Sequence, residues 1–345
     1  MGPSSGDRAP AHAAWQQFCE RLAAAGHHLL EGDLPQQPRD HAEGVRHLAR
    51  LTVFALQWHL EFGDTAFPRF YRFDDDVVKW GGPNVDNHYQ RARIDPRRTY
   101  RLQANVRGVR ALIVSLAEGD MQLGQTRVFQ ERTLAQLTVA PDGTLDVLLA
   151  PSPQDHPNWI PLHPDTDHVL VRQYVSDWDH DPVAALFIEA CDREPAAPAA
   201  LDPVRVAEQL AQAGEWIDRT LRFWPRYLDE RRGRLPANTL APPRAVPGGA
   251  TDMRYGAGFY DLAPDECLLI ETEPPSARYW SFQLYALPWF ESLDIANRVS
   301  SVTGHQAHVD ADGLIRSVVA AVDPGVPNWL DSEGRGPDDV FVESV

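Results

Sequence analysis

The sequence predicts a mainly β protein with helical additions: two tandem antiparallel β-sandwiches of the jelly-roll kind, each preceded by an amphipathic helix. Three observations lead to this fold class. They are an internal repeat, short runs in which apolar and polar residues alternate, and helical apolar stripes ahead of each β region. The chain has 345 residues and 43% of them are hydrophobic, so it is long enough and apolar enough for two packed domains.

The repeat is clearest in segments 137–160 and 307–330, where an Asp-Gly pair and a later Pro-Asn-Trp triplet recur at an offset of 170 residues (312 − 142). Segments 99–116 and 267–284 match at an offset of 168 residues (278 − 110). Chance would not keep two offsets so nearly equal, so the pattern predicts an internal duplication. A feature present in both halves is then interpreted as scaffold, and a feature of one half as a functional candidate.

The duplication predicts two domains, 1–198 and 199–345. Apolar residues at helical spacing predict helices near 11–25 and 40–62, and Asp202 followed by Pro203 predicts the start of a third. Alternation predicts strands at 99–103, 110–116, 136–140, 145–149, 169–174 and 186–190, and at 267–272, 279–285, 305–309 and 314–321. Since strands and helices do not alternate, we expect antiparallel sheets. The Pro- and Gly-rich segment 232–250 is predicted to be a loop.

Charge and composition exclude several classes of protein. The net charge of −17 disfavours nucleic acid and anionic membranes as partners. The sequence has no apolar run long enough to cross a membrane. Three widely spaced cysteines suit a reducing compartment and predict small buried residues, so a cytoplasmic protein is expected. Dinucleotide, P-loop and serine-hydrolase motifs are missing, and the 13 histidines lack metal-site spacing, so neither a cofactor nor a metal is predicted.

Three blocks, at 79–95, 278–294 and 304–331, resemble a family of bacterial proteins known as domain of unknown function 1214. That family is often found beside or fused to a sister domain, domain of unknown function 1254. The resemblance covers most of the chain from about residue 15 onward. It implies a β-rich sandwich and leaves the reaction open. The few residues after Asp331 raise the expectation of an open sheet edge, at which a second copy of the chain could pair.

The first candidate site follows a glycine turn at the entrance of a predicted strand. Asp86 and Asn87 stand at the entrance, while Tyr89 and Arg91 share one face of the strand. A carboxylate, a phenol and a guanidinium gathered there could orient and polarise a carbonyl or hydroxyl group. The alternative is a turn capped by its own side chains. Trp80, shortly before the turn, is a predicted substrate contact.

The second candidate site is the loop 286–298. Trp289 and Phe290 could line a pocket of low dielectric and raise the pKa of a neighbouring carboxyl group. Glu291 and Asp294 are three residues apart and would share a face of a helical turn, where two carboxyl groups could share a proton. The alternative is a loop with an acid capping its turn.

Three further features complete the candidates. His305 could supply a base, although a lone strand histidine is more often packed or on the surface. Trp280 is a second predicted substrate contact. The run Asp74–Asp76 resembles acidic segments that hold magnesium against a diphosphate, and its alternative is a solvated loop.

Because ligand sites favour domain junctions, we expect the two candidate sites to meet between the β domains. The function predicted is acid–base chemistry, as an isomerase, lyase or hydrolase, on a largely apolar small molecule such as a steroid, isoprenoid or lipid. One alternative is a non-catalytic module that binds glycans or other small molecules through exposed aromatic faces. Another is magnesium-dependent isoprenoid diphosphate chemistry at Asp74–Asp76.

Overall fold

The computed structural model describes residues 9–31, 38–192, 197–246, 249–335 and 340–344. These residues form a mainly β fold with several sheets and three long helices, as the sequence predicts. The helices are α1 (Ala9–Glu31), α2 (Pro38–Leu56) and α3 (Pro203–Arg232). A π-helical turn, Gln57–Glu61, extends α2.

The strands of the first half form two facing sheets. They are β1 (Tyr71–Arg72), β2 (Asn87–Arg93), β3 (Tyr100–Asn105), β4 (Ala111–Glu118), β5 (Arg127–Thr133), β6 (Thr144–Ala150), β7 (Trp159–Pro161), β8 (His168–Tyr174) and β9 (Leu186–Ala190). The strand orders are β1-β2-β8-β4-β5 and β7-β6-β3-β9. Alternation points Leu102, Val114, Val147 and Val171 into the space between the sheets, where each is fully buried.

The second half repeats this layering. Its strands are β10 (Thr239–Leu240), β11 (Gly256–Phe259), β12 (Leu268–Thr272), β13 (Ser281–Ala286), β14 (Glu291–Ser292), β15 (Ser301–Thr303), β16 (Ile315–Ala320), β17 (Trp329–Asp331) and β18 (Val340–Ser344). One sheet has the order β10-β11-β18-β13-β14 with β15 also on β13, and the other has the order β12-β16-β17. The last strand, β18, lies between β11 and β13, so the end of the chain does not form the open edge that was expected.

The three helices pack together and against the first half. Phe18 of α1, Leu51 and Phe54 of α2, and Trp216 and Ile217 of α3 share one apolar core. Asp202 caps α3 by accepting a hydrogen bond from the backbone of the second residue after it, as predicted. Because α3 follows residue 198, this core joins elements from both sides of the predicted boundary. The division into 1–198 and 199–345 stays a prediction.

The matched segments of the two halves have matching hydrogen bonds. The side chain of Asn158 donates to the carbonyls of Thr138 and Asp146, and Asn328 donates to those of His308 and Arg316. The indole of the tryptophan after each Asn donates to the backbone carbonyl nine residues earlier. The tryptophan of each triplet begins a short strand that pairs in parallel with the preceding one, β7 with β6 and β17 with β16. These pairs differ from the expectation of purely antiparallel sheets.

Two predicted strands are wrong. At 136–140, Thr133 and Gln136 form a capping box around a short 3-10 helix, and Thr138 is tied to Asn158 instead of to a neighbouring strand. At 305–309 the chain turns, because the backbone N–H of Gln306 donates to the carbonyl of Thr303. The strand lies earlier, at β15. In both places local side-chain capping outweighs the alternating pattern.

Candidate functional site

A cavity of about 190 Å³ lies against the first sheet, on the face opposite to the sandwich core. Side chains of β2 alternate between the two faces of the sheet. Ala92 is buried in the sandwich, whereas Tyr89 and Arg91 line the cavity. Helix α3 covers one side through Trp224, and the second half contributes Phe290. The cavity therefore lies between the halves, where a ligand site was expected.

Arg91 lies at the centre of this site and is only 2% exposed. Its guanidinium carbon is 3.8 Å from the ring centre of Trp58, 4.8 Å from those of Phe54 and Phe73, and 5.6 Å from that of Trp80. Aromatic faces attract a guanidinium and hold its plane in place. The cation is therefore fixed by rings that come from α2 and from the chain leading to the cavity.

Arg91 has one charged partner among the described residues. Its Nη1 donates to the carboxylate of Asp120 at 3.0 Å, and the other oxygen of Asp120 accepts the indole N–H of Trp216 at 2.8 Å. The Nε and Nη2 groups of Arg91 are buried and have no hydrogen-bond partner in the part of the chain that is described. A buried cation with unused donors is unfavourable unless another molecule completes its bonding.

Asp74 contributes a buried carboxyl group to the same cavity. Burial raises the pKa of Asp74 well above its usual range, although the charge of Arg91 and a backbone hydrogen bond from Trp80 act in the opposite direction. Its Oδ1 has no partner among the described residues. Burial therefore favours the protonated form of Asp74, which is the form that donates a proton or a hydrogen bond.

Tyr89 completes the polar wall. Its hydroxyl oxygen accepts the backbone N–H of Asn84 at 3.1 Å, and its ring is 5.5 Å from that of Phe73. Burial raises the pKa of Tyr89, so the phenol stays neutral. Tyr89, Arg91 and Trp80 are three predicted residues that the structure brings together at the cavity.

The fourth predicted residue at the cavity is Phe290, which has a positive φ of 51°. A bulky side chain rarely adopts this backbone conformation, which stores strain of a kind that clusters at functional sites. Gly82 holds the strained residue, since its N–H donates to the carbonyl of Phe290 at 2.8 Å. Gly82 has a φ of 68°, and a Cβ on it would lie 2.2 Å from the phenyl ring. Only glycine fits here.

Asp86 lies outside the cavity, in a buried polar network between the halves. Its carboxylate accepts the hydroxyl of Tyr279 at 2.8 Å, the amide of Gln283 at 3.0 Å and the indole N–H of Trp178 at 2.8 Å. Burial raises the pKa of Asp86 to about 6, although these hydrogen bonds favour the charged form. These donors occupy the carboxylate, so Asp86 connects the two halves.

Glu291 and Asp294 do not form the predicted pair. Glu291 is buried and accepts from His47 and Arg50 of α2, each at 2.8 Å. Burial pushes its pKa upward, but the charges of His47, Arg50 and Lys79 outweigh burial and the pKa is lowered, contrary to the prediction. Asp294 caps the turn that follows and accepts from Asn297.

The other predicted residues lie elsewhere. Trp289 is buried against His47, and Trp280 lines a separate cavity of about 580 Å³ within the second half. His305 is 55% exposed and lies 3.4 Å from Asp177. Asn87 lines a surface hollow of about 430 Å³, and its side-chain amide is buried without a partner among the described residues.

The three acids of the run all line the surface hollow that contains Asn87, but their side chains have different contacts. Asp74 lines the cavity, Asp75 caps a turn by accepting from the backbone of Val77 and Val78, and Asp76 is exposed. Within the described ranges, no cluster of three or more His, Cys, Asp or Glu side chains could hold a metal ion. Cys19, Cys191 and Cys267 are free and exposed, although burial was predicted.

The roles of Asp74 and Asp120 in the cavity were not predicted from the sequence. Asp74 was singled out only as a magnesium ligand, and Asp120 not at all, because it lies in an irregular turn that has no periodicity. The one signal for Asp74 was its place directly after the alternating Tyr71 and Phe73, both of which are buried.

None of the described helices is both long and apolar enough to span a bilayer.

Comparison with known proteins finds a matching family model and similar solved structures. The model of the family described as "Protein of unknown function (DUF1214)" matches residues 90–177. The crystal structure of an uncharacterized protein from Burkholderia cenocepacia is similar at a TM-score of 0.88 and 34% identity, over 96% of this chain and 92% of that one. The VPA0106 protein from Vibrio parahaemolyticus gives a TM-score of 0.49 at 10% identity, over 95% of this chain and 94% of that one.

Comparison with curated proteins found no significant match. A relation to the sister domain 1254 stays a prediction. The family model covers the end of β2 and all of β4 and β8, and so includes Arg91 and Arg172 of the cavity wall, whereas Tyr89 lies one residue before the match. On the family match and the full-length similarity to the Burkholderia protein, the chain belongs to the DUF1214 family.

Proposed function

We propose that the chain binds a small, largely apolar molecule in the cavity between its halves and performs acid–base chemistry on it, as an isomerase, lyase or hydrolase. One observation carries the proposal. Asp74, a buried carboxyl group with a raised pKa and an unpaired oxygen, lines the cavity together with the unpaired donors of Arg91.

The chemistry follows from these two groups. In its neutral form Asp74 donates a proton to a carbonyl oxygen of the ligand, which becomes a hydroxyl group. The Asp74 carboxylate formed in this step then takes a proton from the carbon next to the carbonyl and leaves the neutral enol, while the unpaired donors of Arg91 hold the ligand in place. One residue thus serves as acid and base, which is sufficient for an isomerisation.

The volume of the cavity limits the ligand. An apolar cavity of about 150 Å³ is large enough for benzene, and this one, which is partly open to solvent, measures about 190 Å³. The site therefore favours a one-ring or short-chain group. A steroid would extend out of the cavity through its open side.

Hydrogen–deuterium exchange tests the proposal. The protein is incubated in deuterated buffer with cyclohexanone or acetophenone, and NMR follows deuterium entering the carbon next to the carbonyl. We expect catalysed exchange that Asp74→Asn abolishes and that the control Asp76→Asn retains, because Asp76 is exposed. Equal exchange by the wild type and Asp74→Asn would remove Asp74 from the chemistry.

A second candidate function is glycan binding at the surface hollow that contains Asn87. Trp178 lines this hollow and is 52% exposed, and the amide of Asn87 has no partner among the described residues. An exposed indole and a free amide are groups that hold sugars. Screening on a glycan array separates the candidates: binding that Trp178→Ala abolishes would favour the hollow over the cavity.

We also propose that the two β units arose by duplication, which the recurring Asn and Trp hydrogen bonds support. A cytoplasmic location is proposed as well, because three widely spaced cysteines suit a reducing compartment. The net charge of −17 supports the absence of nucleic acid among the partners.

A further inference from the structure

The walls of the cavity carry more positive than negative charge. Arg91, Arg172 and Arg231 line it, against the acids Asp74 and Asp120. Asp120 accepts a hydrogen bond from Arg91, and burial raises the pKa of Asp74, which favours its neutral form. The chain as a whole has a charge of −17, so a cationic cavity is not a consequence of average composition. The local field favours an anion.

The unpaired donors of Arg91 have a defined shape. Nε and Nη2 lie on the same edge of the planar guanidinium and present two parallel N–H groups, while Nη1, at the other edge, is bonded to Asp120. A carboxylate accepts such a pair of donors with its two oxygens. The rings around Arg91 fix the plane, so the edge is oriented before a ligand arrives.

Apolar groups complete the cavity. Trp80, Trp224 and Phe290 line it, and no lysine is present among its described lining residues. A phosphate group also pairs with a guanidinium edge, but it carries up to two charges and has no apolar surface to pack against these rings. A carboxylate on an apolar body fits both the charge and the lining.

We infer that the ligand is a small aryl or short-chain carboxylate, whose two oxygens accept from Nε and Nη2 of Arg91 while its apolar body packs against Trp80, Trp224 and Phe290. This inference rests on the proposed function of the cavity and names the class of its ligand.

Calorimetric titration of the full chain tests the inference with matched probes. Benzoate and 3-phenylpropionate are compared with their primary amides, which have the same shape and no charge. We expect each acid to bind at least tenfold more tightly than its amide. Equal binding of acid and amide would overturn the carboxylate inference and leave the proposed cavity function in place. Failure of every probe to bind would overturn both.

Variants link the preference to Arg91. Arg91→Met should abolish the preference for the acid while leaving the affinity for the amide within about threefold. Arg93→Met is the matched control, because Arg93 lies on the same strand and stacks on the same Trp58, but is not part of the cavity wall. If Arg91→Met does not fold, Arg91→Lys retains the charge without the paired donors and should lose at least tenfold in affinity for the acid. A retained preference in the variant that folds would overturn the inference.

Discussion

Asp86 shows how a buried residue can join two halves and still respond to pH. Gln283 donates from β13, Tyr279 from just before that strand and Trp178 from the loop after β8. The carboxylate of Asp86 therefore bonds to both halves. Burial nevertheless raises the pKa of Asp86 to about 6. The ionised form is therefore less favourable in the folded protein than in the unfolded chain.

Asp86→Asn should remove this pH dependence. Because the folded pKa exceeds the unfolded value, the stabilisation is complete below about pH 4 and is lost as the pH rises through 6. Between pH 4 and pH 7 the wild type should lose on the order of 3 kcal/mol of unfolding free energy relative to the variant. Urea unfolding at both pH values measures the difference. A constant difference would contradict the assignment.

Gly82→Ala should displace the strained Phe290 from the cavity wall. An added methyl group would meet the ring at 2.2 Å and would also oppose the positive φ. Gly124→Ala is the control, since Gly124 also has a positive φ but nothing within 4 Å of an added Cβ. We expect Gly124→Ala to cost about 1 kcal/mol in urea unfolding and Gly82→Ala clearly more. Equal losses would mean that the ring moves freely.

Among individual residues, those whose position follows from the alternation of side chains along a strand could be predicted from the sequence. Tyr89 and Arg91 share a face of β2, as spacing alone predicts. Glu291 was assigned wrongly, because its partners His47 and Arg50 lie about 240 positions earlier in the chain. No local pattern predicts the pKa of a carboxyl group whose neighbours come from so far away.

Among the elements, α2 and β14 are joined by a buried ion cluster. Glu291 accepts from His47 and Arg50, while Lys79 donates from nearby to the carbonyls of Ser292 and Leu293. Burial lowers the pKa of Lys79, and the charge of Glu291 opposes that shift. Asp294 and Glu333 act on Lys79 in the same direction, but Glu291 is the carboxylate that bonds directly to His47 and Arg50.

Glu291→Gln should destabilise the protein by about 3 kcal/mol at pH 7, because it leaves buried cations without their partner. Glu230→Gln is the control, since Glu230 forms an exposed pair with Arg226 that is worth less than about 0.5 kcal/mol. The folded pKa of Glu291 is lowered, so the difference from wild type should shrink as the pH falls below about 4. Urea unfolding at pH 7 and pH 3 measures both. Similar losses in the two variants would show that the cluster is not needed.

Elements with a strong hydrophobic period could be predicted from the sequence. Segments whose structure is determined by side-chain capping could not. β9 was predicted at its observed bounds, and Asp202 caps α3 as expected. The residues at 136–140 and 305–309 alternate as well, but the side chains of Gln136 and Gln306 bond to the backbone nearby. Such bonds end a strand that hydrophobic alternation would continue.

In the whole molecule, the two halves share a core although the sequence repeats. Phe18 of α1 and Phe54 of α2 pack with Trp216 and Ile217 of α3. The recurring turns are visible in the sequence and predict a duplication, whereas the shared helical core could not be predicted, because it depends on which helices meet.

We therefore expect one cooperative unfolding transition. In urea, far-ultraviolet circular dichroism and tryptophan fluorescence should give the same midpoint, since loss of either half exposes the core that both use. The buried network around Asp86 adds a second connection between the halves. Two separated midpoints would instead support independent domains divided near residue 198.

A crystal structure of the protein with 4-bromobenzoate tests the central claim most directly, because the anomalous signal of bromine locates the ligand without ambiguity. The account predicts bromine in the cavity beside Trp224 and Phe290, with both carboxylate oxygens within about 3 Å of Nε and Nη2 of Arg91. Bromine in the hollow beside Trp178, with the cavity empty, would contradict it.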